Sequence, residues 1–176
     1  MKIHLLLVGS LVLAGVVSAA TESTHIAGRE NKAPGPPSYT LVKDNDQAME
    51  RAVQRARKTM GFFVAALGKK KPGDGGFEVK KAFVDGNSVE HLWIGDLRFD
   101  GKNFRGKINN QPLDVHNARL GQKVTVRPQE VTDWMFVKNG ELVGGYTTRV
   151  LYARLSAGEK AEFNKKADFK IEPTKH

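Results

Sequence analysis

The chain has 176 residues, no cysteine, and 28 lysine and arginine residues against 19 acidic ones, for a formal net charge of +9. Its hydrophobic fraction of 40% is that of a globular protein, so composition excludes wholesale disorder, collagen-like repeats and a multi-pass membrane protein. The absence of cysteine excludes disulfides, thiolate metal sites and a cysteine nucleophile.

Residues 1–20 have the pattern of an export signal. Lys2 precedes a nearly unbroken apolar run, and small residues close that run. Signal peptidase requires small residues at such positions, so we predict cleavage after Ala19 or Ala20. The alternative is an uncleaved anchor, but spanning a bilayer needs about 20 apolar residues and this run is shorter. We therefore expect an exported protein, periplasmic or secreted, with no transmembrane anchor after cleavage.

A leader and a helix follow the signal. Residues 21–40 are polar and proline-rich, which predicts a flexible leader. From Asp44 to Gly68 apolar residues recur every three or four positions, which predicts one amphipathic helix. Phe62 falls on its polar side, either as an exposed anchor for a partner or, as we favour, covered by the leader or the C-terminal tail. The polar side of this helix is a candidate binding surface, second to the one described below for segment 133–147. It is a basic stripe made of Arg51, Arg55, Lys58 and Phe62.

The rest of the domain is β-rich. Turn signals such as Asn139-Gly140 favour tight hairpins, and short connections force antiparallel neighbours. The predicted strands cover 77–84, 89–99, 103–109, 123–127, 133–138 and 142–152. We predict an α+β fold, with the N-terminal amphipathic helix packed on a strongly bent, mostly antiparallel sheet or small barrel of about six strands.

The C-terminal part is predicted to be an extension. We assign the α+β domain to residues 41–153 and a basic C-terminal extension to 154–176. Ser156 and Glu159 have the spacing of a capping box, which predicts a short helix in this extension. The last ten residues are predicted to be frayed.

Catalytic and metal-binding motifs are weak. No GxSxG or HExxH pattern is present. Asp114 and His116 would share one side of an extended segment, but no third ligand accompanies them, so we predict no metal and no cofactor. The candidates for acid–base chemistry are Glu90, His91, His116 and Asp133.

The segment 133–147 has the most unusual content. Trp134 and Met135 are adjacent, so they point to opposite faces of a strand, and one of them must be covered by a helix or loop. Gly144-Gly145 inside a strand indicates a bulge, a sharp bend or close approach of another group. Either an aromatic ring packs over the glycines, or the glycines floor a groove between aromatic walls. The predicted binding residues are Asn110, Asp133, Trp134, Gly144, Gly145 and Tyr146.

Several short motifs occur together in a recognisable order. They are Val89-Glu-His-Leu-Trp93, Asp100-Gly101, Gly106-x-Ile108-Asn109-Asn110-x-Pro112, Gly121-x-x-Val124-x-Val126, Asp133-Trp134-Met135 and Gly144-Gly145-Tyr146-Thr147-x-Arg149. From about Asp44 to Leu151 the chain resembles the bacterial YegJ-like domain, a family of unknown function. The resemblance implies no activity, cofactor or catalytic residue, and the extension after Tyr152 lies outside it.

The favoured function is a non-catalytic binding module in the periplasm or outside the cell. Its expected partner is another protein, with an anionic envelope polymer bound through the basic face as an alternative. A small envelope hydrolase with a carboxylate–histidine pair is the alternative from another class. Nucleic-acid binding is disfavoured because the chain carries an export signal and no RRM, KH or helix-turn-helix signature.

Overall fold

The computed structural model describes residues 2–5, 40–42 and 46–172 of the chain. It has strands and helices in the mixed order of an α+β protein, so the predicted class is confirmed. The elements are β1 (Lys2–Leu5), β2 (Thr40–Val42), α1 (Gln47–Lys58), α2 (Met60–Lys69), β3 (Asp74–Asp85), β4 (Ser88–Phe99), β5 (Phe104–Ile108), β6 (Lys123–Val126), a 3-10 turn (Pro128–Glu130), β7 (Val131–Lys138), β8 (Glu141–Gly144), α3 (Tyr146–Arg154) and α4 (Ala157–Lys166).

Strands β3 to β8 form one six-stranded sheet. All neighbours in it are antiparallel, in the spatial order β8-β7-β3-β4-β5-β6. The described strands do not close on themselves, so the sheet is open and the small barrel that we considered is not formed. The short strand β1 runs parallel to the first residues of β4, and β2 pairs with β1.

Apart from β1 and the first residue of β2, the predicted export signal over 1–20 and leader over 21–40 lie outside the described residues. Cleavage after Ala19 or Ala20 therefore stays a prediction. In the described part of the chain, no helix is long and apolar enough to cross a membrane.

The predicted single helix is divided into α1 and α2 at Thr59. Asp46 begins α1 by accepting hydrogen bonds from the backbone N–H groups of Ala48 and Met49, at 3.1 and 3.2 Å. The Thr59 hydroxyl donates to the Arg55 carbonyl oxygen at 2.7 Å, and Thr59 adopts φ −101° and ψ 8°. A threonine side chain that bonds back to the preceding turn often bends a helix, which accounts for the break.

The first face of the sheet packs against α1 and α2. Trp134 on β7 lies at the centre of this layer: its indole N–H donates to the Ala56 carbonyl oxygen at 2.8 Å, and its ring stacks on Phe63 with centroids 5.2 Å apart. The layer consists of Ala56, Phe63, Leu67, Phe77, Val79, Ile94, Leu97, Phe104, Val126, Val131, Trp134 and Phe136.

The second face is covered on its β7–β8 side by α4 and the chain that follows it. Trp93 and Met135 pack there against Leu142, Phe163 and Phe169. Trp134 and Met135 are therefore both buried, on opposite faces, because separate parts of the chain cover each face.

Residues 167–172 pack along β8, so the prediction of a frayed end is wrong for them. The Lys170 carbonyl oxygen accepts from the Leu142 N–H at 2.9 Å, and the Lys170 N–H donates to the Gly140 carbonyl oxygen at 2.8 Å. Phe169 is buried in the second-face layer. Most residues of this segment are polar, which predicts fraying. Burial of its few apolar side chains nevertheless stabilises its contact with the sheet. Residues 173–176 lie outside the described range.

The predicted strand 142–152 is also wrong beyond Gly144. Gly144 and Gly145 both have positive φ, +74° and +60°, and α3 begins at Tyr146. Such backbone angles end a strand, and glycine adopts them without the steric cost that other residues incur. The two glycines thus join a strand to a helix.

Candidate functional site

Asp133 is fully buried and holds the first turn of α3. Its Oδ1 accepts from the backbone N–H groups of Trp134 and Tyr146, at 2.8 and 3.1 Å. Its Oδ2 accepts from the N–H and the hydroxyl of Thr147, at 2.8 and 2.5 Å. A carboxylate at a helix N-terminus satisfies free N–H groups and interacts favourably with the helix dipole. Asp133 is thereby a cap supplied by a neighbouring strand.

Lys80 lies beneath this cap and is also fully buried. Its Nζ donates to the Thr147 hydroxyl oxygen at 2.8 Å and lies 4.3 Å from the centroid of the Trp93 ring. Burial lowers the pKa of Lys80 to about 8, against the opposing effect of Asp133 and Glu78. Burial raises the pKa of Asp133, and the nearby Lys80 opposes that shift. Two opposite charges joined through Thr147 form an interior network.

The other predicted hairpin residues lie in the same interior region. Trp134 is 1% exposed, and Gly144 passes so close to it that a side chain on Gly144 would lie 2.5 Å from the indole ring. Tyr146 is half-buried and meets Trp134 edge to face at a centroid distance of 5.6 Å. These contacts agree with the interpretation in which an aromatic ring packs over Gly144 and Gly145. A binding role for these residues stays a prediction.

The side chain of Asn110 forms a hydrogen bond to the backbone of β4. Its Oδ1 accepts from the Trp93 N–H at 2.7 Å, next to the backbone bond from the Asn109 N–H to the Trp93 carbonyl oxygen. Its Nδ2 is buried and has no hydrogen-bond partner among the described residues. The contacts explain why Asn110 is buried, and its predicted part in binding stays untested.

The acid–base candidates are not brought together as a pair. Glu90 accepts from the backbone N–H groups of Leu113 and Asp114, so it holds the loop after β5. His91 Nδ1 lies 3.0 Å from the Thr132 hydroxyl, and burial, with Lys80 adding to it, lowers the pKa of His91 to about 4. His116 is exposed. The hydrogen bonds of Asp133 go to α3 and Trp134 instead of to either histidine.

The basic stripe on α1 and α2 is exposed, and the favoured cover of Phe62 by the leader or the C-terminal tail is not seen among the described residues. Arg51, Arg55 and Lys58 face solvent, and Phe62 is 60% exposed. Phe62 nevertheless has its ring centroid 6.0 Å from that of Trp134. Arg55 lies over the Tyr146 ring, 5.4 Å from its centroid. The stripe is a polar surface with one aromatic residue resting on the core.

A cleft that the sequence did not reveal lies between β3, β4, β5 and β6. Its volume is about 970 Å³. The pairing of β3 with β7 is irregular between Gly75 and Glu78, and that of β4 with β5 between Gly95 and Arg98. Asp96 in the second bulge has φ +52°, which is uncommon for a residue other than glycine. Bulges and unusual backbone angles are frequent beside functional sites.

Part of the cleft lining, including Glu78, lies on the second face, beside the part that the C-terminal segment covers. Glu78 lies opposite Met135, whose side chain is in the second-face layer. Directly opposite residues on neighbouring strands share a face. Lys107 lies opposite Gly95 on one side and opposite Lys123 on the other, which continues this row to the edge of the sheet.

Cations dominate the rim of the cleft. Arg98 and Arg105 lie opposite each other, next to the row that contains Lys107 and Lys123. Lys107 pairs with Asp96 at 2.9 Å and Arg105 with Asp100 at 3.0 Å, on an exposed surface where such pairs are weak. No ion pair within the described residues includes Lys70, Arg98 or Lys123.

Glu78 lines the inner wall of the cleft and is 7% exposed. Its Oε1 accepts from Asn109 Nδ2 at 2.5 Å, whereas its Oε2 is buried and has no hydrogen-bond partner within the part of the chain that the structure describes. Burial raises the pKa of Glu78 to about 7, and Asp168 adds to this shift while Asn109 and Lys80 oppose it. A buried carboxyl group with a raised pKa in a cleft is a functional-site candidate.

We expect the Glu78→Gln variant to become more stable than wild type as pH rises. The folded chain holds the Glu78 proton up to about pH 7, and an unshifted carboxyl releases it near 4.5. Folding therefore takes up a proton in that window, and wild type loses stability across it. The difference between the two proteins should grow by about 3 kcal/mol from about pH 4.5 to about pH 8.

Urea denaturation at a series of pH values measures this difference. Glu141→Gln is the matched control, because Glu141 is exposed and the same change there should leave the difference from wild type nearly constant. Parallel stability curves for wild type and Glu78→Gln would contradict the raised pKa.

Metal coordination has no support in the part of the chain that the structure describes. No group of three or more His, Asp or Glu side chains is placed there to hold a metal ion.

Comparison with known proteins identifies the family. The chain belongs to a family of uncharacterized proteins conserved in bacteria, DUF2314, whose family model matches residues 46–171. The match includes residues 154–171, which lie outside the YegJ-like resemblance predicted from the sequence motifs. No solved structure matches the chain.

Two relatives show how far the similarity extends. A putative ankyrin repeat protein of Neisseria meningitidis serogroup B is 34% identical over 136 residues, 69% of this chain but 51% of that protein. This chain thus spans about half the length of that relative. The uncharacterized protein YegJ of Escherichia coli K12 is 32% identical over 131 residues, 73% of this chain and 84% of YegJ. The predicted YegJ-like resemblance is confirmed.

Proposed function

We propose that this domain is a non-catalytic binding module whose cleft holds an acidic segment of a partner protein. The observation that carries the proposal is the set of four cations on one rim, Lys107 and Lys123 in one row and Arg98 and Arg105 in the next. An excess of one sign of charge on the rim of a cleft raises the local concentration of an oppositely charged ligand. The net charge of +9 adds long-range attraction.

The mixed lining favours a peptide over a densely charged polymer. Asp74 and Asp96 line the cleft together with the basic residues. A polyphosphate would bring closely spaced charges against these carboxyl groups, and like charges in contact cost several kcal/mol. A peptide has carboxylates that are further apart and neutral backbone groups between them. Its charges can pair with the cations while its amides lie near the acidic residues.

The predicted export signal sets the compartment of the proposed partner. Because residues 1–20 have the pattern of a signal that is removed, we expect the partner in the periplasm or outside the cell. The predicted binding residue Asp133 lies on β7, which pairs with β3, the strand that contains both Lys80 and Glu78.

Reversing two cleft charges should weaken binding of a fluorescein-labelled, glutamate-rich peptide by at least about tenfold. The variant is Arg98→Glu with Lys123→Glu, two exposed residues without an ion-pair partner among the described residues. Fluorescence anisotropy measures the dissociation constant at low and at moderate salt. Wild-type affinity should fall as salt rises, because ions screen exposed charges.

The matched control is Arg51→Glu with Arg55→Glu on the basic stripe, which changes the net charge by the same amount. It should weaken binding much less than the cleft variant does. An equal loss in both variants would show attraction to net charge alone, and a larger loss in the stripe variant would make the stripe the binding surface. Either result would overturn the proposal, as would tighter binding of inorganic polyphosphate than of the peptide.

A further inference from the structure

We infer that Glu78 and Asn109 form a subsite for one carboxylate of the bound segment, in which Glu78 is a neutral acid that donates its hydroxyl to that carboxylate. The inference rests on the proposed function, because it names the chemistry of one position in the same cleft. It adds that binding takes up a proton.

Hydrogen bonding determines which oxygen of Glu78 carries the proton. Oε1 accepts the N–H of Asn109 Nδ2, so it serves as the carbonyl oxygen of the acid. Oε2 is buried, and no described residue bonds to it. A protonated carboxyl group has one O–H donor. That donor must therefore be Oε2, and it needs an acceptor, since a buried polar group without a hydrogen bond is costly.

Gly95 leaves the approach to this subsite open. A Cβ atom on Gly95 would lie 3.4 Å from Asn109 Nδ2 and 3.5 Å from Glu78 Oε1. Any longer side chain at this position would extend over the Glu78–Asn109 pair. A glycine inside a strand commonly marks close approach of another group. The missing side chain leaves the space above Glu78 Oε1 and Asn109 Nδ2 open on the cleft side.

The charges around Glu78 favour this assignment. Asp168 from the C-terminal segment disfavours ionisation of Glu78, and Lys80 on the same strand favours it. Lys80 is engaged by Thr147 in the interior and does not line the cleft. The cleft itself adds the acidic residues Asp74 and Asp96 and the basic residues Lys70, Arg98, Arg105, Lys107 and Lys123.

A carboxylate suits this arrangement of charges. It accepts a short, strong hydrogen bond from a neutral acid. Lys107 and Lys123, in the row that begins at Glu78, can balance its negative charge. Ionised Glu78 would instead repel the carboxylate and offer no donor. Binding and protonation of Glu78 must therefore favour each other.

The test measures peptide affinity as a function of pH. The labelled glutamate-rich peptide is titrated into the full chain from about pH 6 to about pH 9 at constant ionic strength. Wild-type affinity should fall by up to about tenfold per pH unit above the pKa of free Glu78. Calorimetry in two buffers that differ in ionisation enthalpy should show uptake of about one proton at about pH 8.

Glu78→Gln is the decisive variant. Its amide can accept from Asn109 and donate to the ligand, so it should bind the peptide with an affinity that does not change over this pH range. Glu141→Gln, an exposed change of the same chemistry, should keep the wild-type pH dependence.

The outcomes separate this inference from the proposed function. If wild type binds the peptide in the cleft, as charge reversal shows, but with no pH dependence and no proton uptake, the carboxylate subsite is overturned and the proposed function stands. If Glu78→Gln is folded but keeps the wild-type pH dependence, the subsite is also overturned. Absence of peptide binding at every pH would overturn the proposed function itself.

Discussion

Replacing Asp133 by alanine should lower the free energy of unfolding by about 3 to 5 kcal/mol, because it removes one partner of a buried pair of opposite charges. Lys80 would stay fully buried and, among the described residues, would keep only the Thr147 hydroxyl as a hydrogen-bond partner. The backbone N–H groups of Tyr146 and Thr147 at the start of α3 would lose their acceptor. Urea denaturation followed by tryptophan fluorescence measures the change.

A second substitution distinguishes the two causes of this loss. Adding Lys80→Met to Asp133→Ala removes the uncompensated charge, so the double variant should regain part of the stability. The remaining loss then reports the missing acceptor for α3. A loss below about 1 kcal/mol in the single variant would contradict an interior role for Asp133 and favour its predicted role in binding.

The network around Asp133 shows what the sequence can and cannot predict. The motifs Asp133-Trp134-Met135 and Gly144-Gly145-Tyr146-Thr147 were recognised as parts of one unit, and the structure brings them together. The helix that follows them was predicted as strand, because Thr147, Thr148 and Val150 are β-branched residues with strand propensity. Contact with a distant carboxylate overrides that local preference.

Features determined by neighbouring residues were predicted well. The first helix has its N-cap at Asp46, two residues after its predicted start at Asp44, and Asn139-Gly140 forms the expected two-residue hairpin turn with φ of +51° and +81°. The choice between an open sheet and a barrel depends on pairing between distant strands, which a single sequence does not determine. The sequence therefore predicts either a bent sheet or a small barrel without distinguishing them.

The cleft escaped prediction because its residues are far apart in the chain. Glu78, Lys107 and Lys123 are placed together only by the register of four strands. On its own strand Glu78 alternates with Phe77 and Val79, a pattern that ordinarily places the acidic side chain in solvent. The available signal was glycine inside strands, at Gly95 and Gly106, which indicates bulges but not what they surround.

Replacing Gly144 by alanine should destabilise the fold by about 3 kcal/mol or more. A residue other than glycine at φ +74° incurs a backbone cost of about 1 to 2 kcal/mol. The new Cβ would also overlap the Trp134 carbonyl oxygen and lie 2.5 Å from the Trp134 ring. Forcing a methyl group into a packed core adds about 1 to 3 kcal/mol.

Gly158→Ala is the matched control for that change, because its Cβ would meet no atom within 4 Å. Gly158 lies in α4, where alanine has the higher helix propensity, so this variant should be stabilised by up to about 1 kcal/mol. Thermal and urea unfolding of both variants measure the contrast. If Gly144→Ala unfolds like wild type, Trp134 can move away from the glycines, and the groove that we considered between Trp134 and Tyr146 becomes the better description of this region.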